Sequence, residues 1–76
     1  MTRRYTLLLI PDAEECGYTV RVPALPGLTS EGDTLEEAIA NAREAIALWI
    51  KSADKLSEPI PEEELPPQTI TIDVAT

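Results

Sequence analysis

The sequence has no histidine and no phenylalanine, one cysteine, one tryptophan, two tyrosines and three glycines. Each shortage removes a class of chemistry. Without His, Ser30 has no partner for a Ser-His-Asp arrangement, and Cys16 has no imidazole to activate it. One Cys forms no internal disulfide, and alone it builds no zinc centre. The glycines make neither a G-x-G-x-x-G nor a P-loop spacing, so nucleotide binding is unsupported, and no cofactor or metal is expected. Long apolar runs are missing as well. Leu7-Leu8-Leu9-Ile10 stops at Pro11, too short for the core of a signal peptide and far too short to cross a bilayer.

Positive charge is scarce. Six bases stand against fourteen acids, a net charge of −8. Direct nucleic-acid binding needs clustered Lys and Arg to replace counterions, so that class is set aside. An anionic membrane surface is set aside for the same reason. The balance suits a basic protein partner. With no export signal and a single free thiol, the expected compartment is the cytoplasm.

What is present is ordinary for a globular chain, with 43% hydrophobic residues. The length allows one domain over 1–76 and a thin core of Leu, Ile, Val and Ala. Small cores are often supported by a disulfide, a metal or a partner subunit. Here only the partner subunit remains, so a homo-oligomer, dimer or tetramer, is expected.

Hydrophobic periodicity orders the chain as β-β-β-α-β. A first strand over 4–11 is apolar on both faces, which predicts a central or doubly covered strand. A second over 17–22 alternates, with Tyr18, Val20 and Val22 on one face against Thr19 and Arg21. Pro23 ends it and Pro26-Gly27 turns the chain. A short third strand follows over 28–32. Thr34 then stands three residues before Glu37, the spacing of a capping box, in which hydroxyl and carboxylate each accept from a free backbone N–H.

A helix over 35–53 follows, with Leu35, Ala38, Ile39, Ala42, Ala45, Ile46, Trp49, Ile50 and Ala53 at helical spacing. A Pro-rich, Glu-rich crossing over 57–68 is read as extended. A last strand over 69–74 sets Ile70, Ile72 and Val74 against Thr69, Thr71 and Asp73. The crossing is long enough to carry it back beside the first strand. One helix covers one face of such a sheet. Leu8 and Ile10 on the other face are therefore assigned to an oligomer interface.

The chemistry-bearing groups read plainly. Glu31, Asp33, Glu36 and Glu37 collect at the loop–helix junction, where helix capping and the dipole account for them. Asp12 fits a turn residue whose side chain bonds nearby backbone. A metal-dependent nuclease using Asp12 and the helix-start acids ranks last among the readings.

The stretches Gly17-Tyr18-Thr19-Val20-Arg21-Val22-Pro23, Leu25-Pro26-Gly27, Glu31-Gly32-Asp33-Thr34-Leu35-Glu36-Glu37-Ala38 and Asn41-Ala42-Arg43-Glu44-Ala45 together resemble the HicB antitoxin family. Each piece alone is weak, but the combination is specific. The resemblance spans 5–61. It implies an α+β, partial ribonuclease-H-like β-β-β-α-β sheet with one helix on one face. It also implies a non-enzymatic role, covering the active surface of a small basic RNA-cleaving toxin of the HicA type.

The chain departs from many such antitoxins in carrying no base after Lys55, so no appended DNA-binding module is expected. Cys16 stands where the family commonly has Gly. Glu31, Asp33, Glu36, Glu58, Glu62, Glu63 and Glu64 are the expected contacts to the toxin. The alternative is a stand-alone homo-oligomeric scaffold or regulator without a cognate toxin.

Overall fold

The computed structural model describes residues 2–76. Its element order is β1 (Leu8–Pro11), β2 (Tyr18–Arg21), β3 (Thr29–Gly32) and α1 (Leu35–Lys55). The strands form an antiparallel meander in the order β1-β2-β3. Leu9 faces Val20 across the first pair, and Val20 faces Ser30 across the second. The alternation of β2 therefore sends Tyr18, Val20 and Val22 toward the helix. Val20 is fully buried with Ala38 and Ala42, and Leu7, Leu9 and Tyr18 pack on that cluster. The alanines let the helix lie close to the sheet.

The connections follow from their turn chemistry. Asp12 starts the β1–β2 link: its Oδ1 accepts the Glu14 and Glu15 N–H groups at 2.9 and 3.1 Å. This is the local side-chain bond that short acids make in turns. Cys16 sits at φ 58 within the link, a left-handed conformation that costs an L residue.

Between β2 and β3 come two consecutive turns. Leu25 donates to the Val22 carbonyl at 2.9 Å, and Leu28 donates to the Leu25 carbonyl at 3.1 Å. The second turn has Pro26 and then Gly27 at φ 85, the backbone of a type II turn, which needs φ > 0 at its third residue. The two turns fold Leu25 fully inward, where it forms a second cluster with Val22 and Leu28. Ala45, Ile46 and Trp49 pack on that cluster, so Trp49 belongs to the rim of the core.

The helix begins as its capping residue dictates. Thr34 is extended, and its hydroxyl accepts the Glu37 N–H at 3.1 Å. The reciprocal half of the expected capping box is not formed among the described residues: the Glu37 carboxylate makes no bond back to Thr34. At the other end Glu58 donates to the Ala53 carbonyl and Ser57 to that of Asp54. With Ser57 at φ 56, this pair of bonds is a Schellman cap. The helix thus runs two residues beyond the expected end, because the cap falls at Leu56.

Two expectations are corrected. Among the described residues the stretch 69–74 pairs with nothing and forms no strand; Ile70, Ile72 and Val74 are 89, 70 and 69% exposed. Alternation reports which face a residue would take, but a strand also needs a free ladder beside it. Consequently β1 is an edge strand rather than a central one.

The expected strand over 4–11 is also shorter, because residues before Leu8 find partners in the crossing instead. The Tyr5 hydroxyl donates to the Pro61 carbonyl at 2.6 Å. Thr6 donates its N–H and its hydroxyl to the two carboxylate oxygens of Glu63, at 2.8 and 2.6 Å. Arg3 pairs with Glu62 at 3.3 Å. The crossing is therefore fastened to the body up to Glu63.

Candidate functional site

The three antiparallel strands and the start of α1 bring exposed acids from three segments to one cleft. Register places Tyr18 opposite Gly32, so the β1–β2 link lies beside the end of β3. Gly32 lets that end press against the helix start: a Cβ there would lie 2.6 Å from the Ala38 Cα and 2.8 Å from the Glu37 carbonyl carbon. Gly17 is nearly as tight, its Cβ position lying 3.1 Å from the Gly32 carbonyl oxygen. Asn41, one turn further along the helix, donates to the Glu31 carbonyl at 2.9 Å and ties β3 to α1.

The resulting cleft is lined by Asp12, Glu15, Glu31, Asp33 and Glu37, with Gly17, Tyr18, Thr19, Gly32 and Asn41. Five acidic residues line it and no Lys or Arg does. Asp12 is held below its ordinary value of 3.8, first by the Glu15 N–H and then by the Glu14 N–H. Bonds to the ionised form favour it, so Asp12 is an anion at neutral pH. Acids gathered at one end of the molecule give it a negative field that suits a cationic partner. Among the described residues, no group of three or more His, Cys, Asp or Glu is placed to hold a metal ion.

The residues singled out from sequence are distributed unevenly. Glu31 and Asp33 join the cleft, and Glu36 lies just outside it on the exposed helix start. Glu37, read as a capping group, is among the residues that line the cleft. Sequence grouped Asp12 with the helix-start acids only in the reading it ranked last, and it did not group Glu15 with them. The signal that would have grouped them is the pairing register of β2 and β3.

The second acidic stretch is different. Glu62 and Glu63 bond Arg3 and Thr6. Glu64 borders a separate cleft with Pro23, Ala24, Leu65 and Pro67, and Glu58 is exposed just past the helix cap. Leu8 is half-buried, and Ile10 is 42% exposed. They share the outer sheet face with Thr19, Arg21, Thr29 and Glu31 by register.

The chain matches the model of the HicB-like antitoxins of bacterial toxin–antitoxin systems over residues 5–72. Relatives fall in both archaea and bacteria. A UPF0150 protein of Thermoplasma acidophilum is 43% identical over 60 residues, covering 79% of this chain and 86% of that one. A UPF0150 protein of Synechocystis is 46% identical over 61 residues, covering 80% and 76%. A 14.9 kDa protein of Haemophilus phage HP1 is 48% identical over 46 residues, 60% of this chain but 35% of that one. No solved structure matches. The chain belongs to the HicB-like antitoxin family. No helix among the described residues is long and apolar enough to cross a membrane.

Proposed function

We propose that this protein is the antitoxin of a toxin–antitoxin pair and acts without catalysis, by covering the active surface of a small basic RNA-cleaving toxin of the HicA type. The observation that carries the reading is membership of the HicB-like antitoxin family along nearly the whole chain. The charge supports it. A protein that grips RNA presents Lys and Arg to phosphates. A cleft lined by five acidic residues and no Lys or Arg offers such a surface an alternative set of anions.

The proposed contacts are Glu31, Asp33 and Glu36, joined by Asp12, Glu15 and Glu37 from the same end of the molecule. Glu58 and Glu64 are free to add to them. Glu62 and Glu63 are already committed within the chain, so their first role is internal. Steered by opposite charge, association would be fast and would weaken with salt. The setting is the cytoplasm, where an RNA-cleaving toxin would find its substrate.

The test is co-expression with any small basic protein found to be encoded beside this gene. The chain should co-purify with it and relieve its growth arrest. A neighbour that arrests growth whether or not this chain is present would contradict the reading.

The second reading, a self-associating regulator without a toxin, is favoured by one specific observation: Leu65, Ile70, Ile72 and Val74 are mostly exposed in the single chain. It predicts a stable oligomer and no basic partner.

A further inference from the structure

The six bases of this chain are not spread evenly. Arg3, Arg4 and Arg43, half of them, line one groove, and no Asp or Glu lines it although the chain has fourteen acids. The groove, of about 360 Å³, lies between the segment leading into β1 and the middle of α1. Its apolar lining is Leu7 on one side and Ile39 and Ile46 on the other. A second hollow adjoins it, sharing Arg3, Tyr5, Arg43 and Ile46, and extends to Ile50, again without an acid. Leu7, Ile39, Ile46 and Ile50 are only half-buried, so the core of the single chain leaves part of each uncovered. The groove adjoins the start of β1 and the acidic cleft adjoins its end, which separates the two charges along the strand.

Charge says what suits such a groove. Three arginines repel a basic surface, so the RNA-gripping face of a toxin does not belong here. Arg43 is exposed in the middle of α1, away from the helix end whose dipole favours a cation. Among the described residues neither it nor Arg4 makes a hydrogen bond or ion pair. Guanidinium forks match carboxylates, which they bind with paired bonds. The neighbouring residues already hold an acidic, extended piece of the chain's own: Arg3 pairs with Glu62 at 3.3 Å, Tyr5 bonds the Pro61 carbonyl, and Thr6 bonds Glu63 twice. Toward the helix the same segment meets no acid. The shape is that of a chain rather than a compact ligand. Ile39 to Ile50 spans about 16 Å of helix, the length of about five extended residues. Ile46 and Ile50 stand about 6 Å apart along it, near the repeat of same-side residues in an extended peptide.

We propose that this groove binds an extended acidic segment of a partner protein other than the toxin. Its aliphatic side chains lie against Ile39, Ile46 and Ile50, and the carboxylates between them meet Arg4 and Arg43. Arginine stems are long enough to follow carboxylates that stand clear of the groove floor while their methylenes cover apolar surface. The apolar contacts supply burial, and the arginines select acid over base. The chain then carries two docking surfaces of opposite sign, one for a basic partner and one for an acidic segment.

Fluorescence anisotropy of the full chain with a labelled peptide of alternating Leu and Glu, about eight residues long, tests this without any toxin, so its failure leaves the proposed function untouched. At neutral pH and low salt the peptide should bind saturably, and added salt should weaken it. Peptides alternating Leu with Lys, or Ser with Glu, should each bind about tenfold more weakly or worse. The double variant Arg4→Glu/Arg43→Glu should lose about tenfold or more in affinity for the Leu-Glu peptide. Both arginines are exposed, so its unfolding midpoint should be preserved. Arg21→Glu, on the outer sheet face, should bind as the native chain does. Absence of saturable binding by the Leu-Glu peptide overturns the proposal. So does equal binding of the Leu-Lys peptide, or full affinity in the double variant. Displacement of the peptide by an equal concentration of inorganic phosphate also overturns it, since the arginines would then form a small-anion site.

Discussion

Two acidic stretches of this chain look alike in sequence and do opposite things in the structure. At the start of α1, Glu31, Asp33 and Glu37 meet Asp12 and Glu15 across a cleft that holds no base. In the crossing, the Glu63 carboxylate is consumed by two bonds from Thr6, and Glu62 pairs with Arg3. The first group is left unneutralised and faces solvent, while the second fastens one end of the chain to the other. The difference is one of partners within reach. An acid beside a stretch of backbone whose donors lack a ladder becomes a fastener. An acid on a turn or a helix start, where the local N–H groups need only one acceptor, keeps its charge available. A count of glutamates therefore says little about a binding surface until the internal bonds are assigned.

The largest effect on this comparison is expected from Gly32, which lets the end of β3 press against the helix start. In Gly32→Ala the new methyl would meet the backbone of Glu37 and Ala38, which has no rotamer to yield. Overpacking against backbone should cost about 3 kcal/mol and open the cleft. Urea unfolding should show the midpoint fall with little change of slope.

Glu63→Ala comes next. It leaves the Thr6 N–H and hydroxyl without their acceptor in a half-buried position, and should cost about 1–2 kcal/mol. Glu31→Gln, by contrast, removes a carboxylate that makes no hydrogen bond or ion pair among the described residues. It should leave stability unchanged or raise it slightly. Equal losses from the two substitutions would erase the distinction drawn between the stretches.

The smallest effect is a pH dependence. Asp12 is depressed below 3.8 by the Glu15 and Glu14 N–H groups. A depressed carboxylate contributes stability that is fully present above its unfolded value, and this is lost as the pH falls through its folded value. The native chain should therefore lose stability as the pH drops below 3.8, and Asp12→Asn should flatten that part of the profile. Because Asp12 is fully exposed, the change is modest.

Much of this organisation was legible from residue order. β2 alternates cleanly, and α1 has a capping residue, a spaced apolar stripe and a basic last turn, so both announce themselves locally. The Leu25-Pro26-Gly27 turn is readable because only a residue tolerant of φ > 0 suits its third position. The last strand was not readable as a partnered element. Its alternation is real, but whether a ladder is free beside it depends on where the crossing leaves the body.

The Glu63–Thr6 bond was equally hidden, because it joins residues 57 apart and nothing local marks the acceptor. The cleft was half visible: Glu31 and Asp33 stand next to the helix start and Asp12 was joined to them only in the lowest-ranked reading, whereas Glu15 arrives only through strand register. Glu37 was read as a cap because its spacing fits one. Among the described residues Thr34 caps the helix without a return bond from the Glu37 carboxylate, and Glu37 lines the cleft.

The proposed toxin contact is tested most directly by titrating the basic partner into three forms of this chain by calorimetry at low salt. These are the native chain, Glu31→Lys/Asp33→Lys in the cleft, and Glu58→Lys/Glu64→Lys outside it. The cleft variant should weaken binding by about a hundredfold or more, with its unfolding midpoint preserved, and the outer variant should weaken it far less. Full affinity retained by the cleft variant would contradict the account.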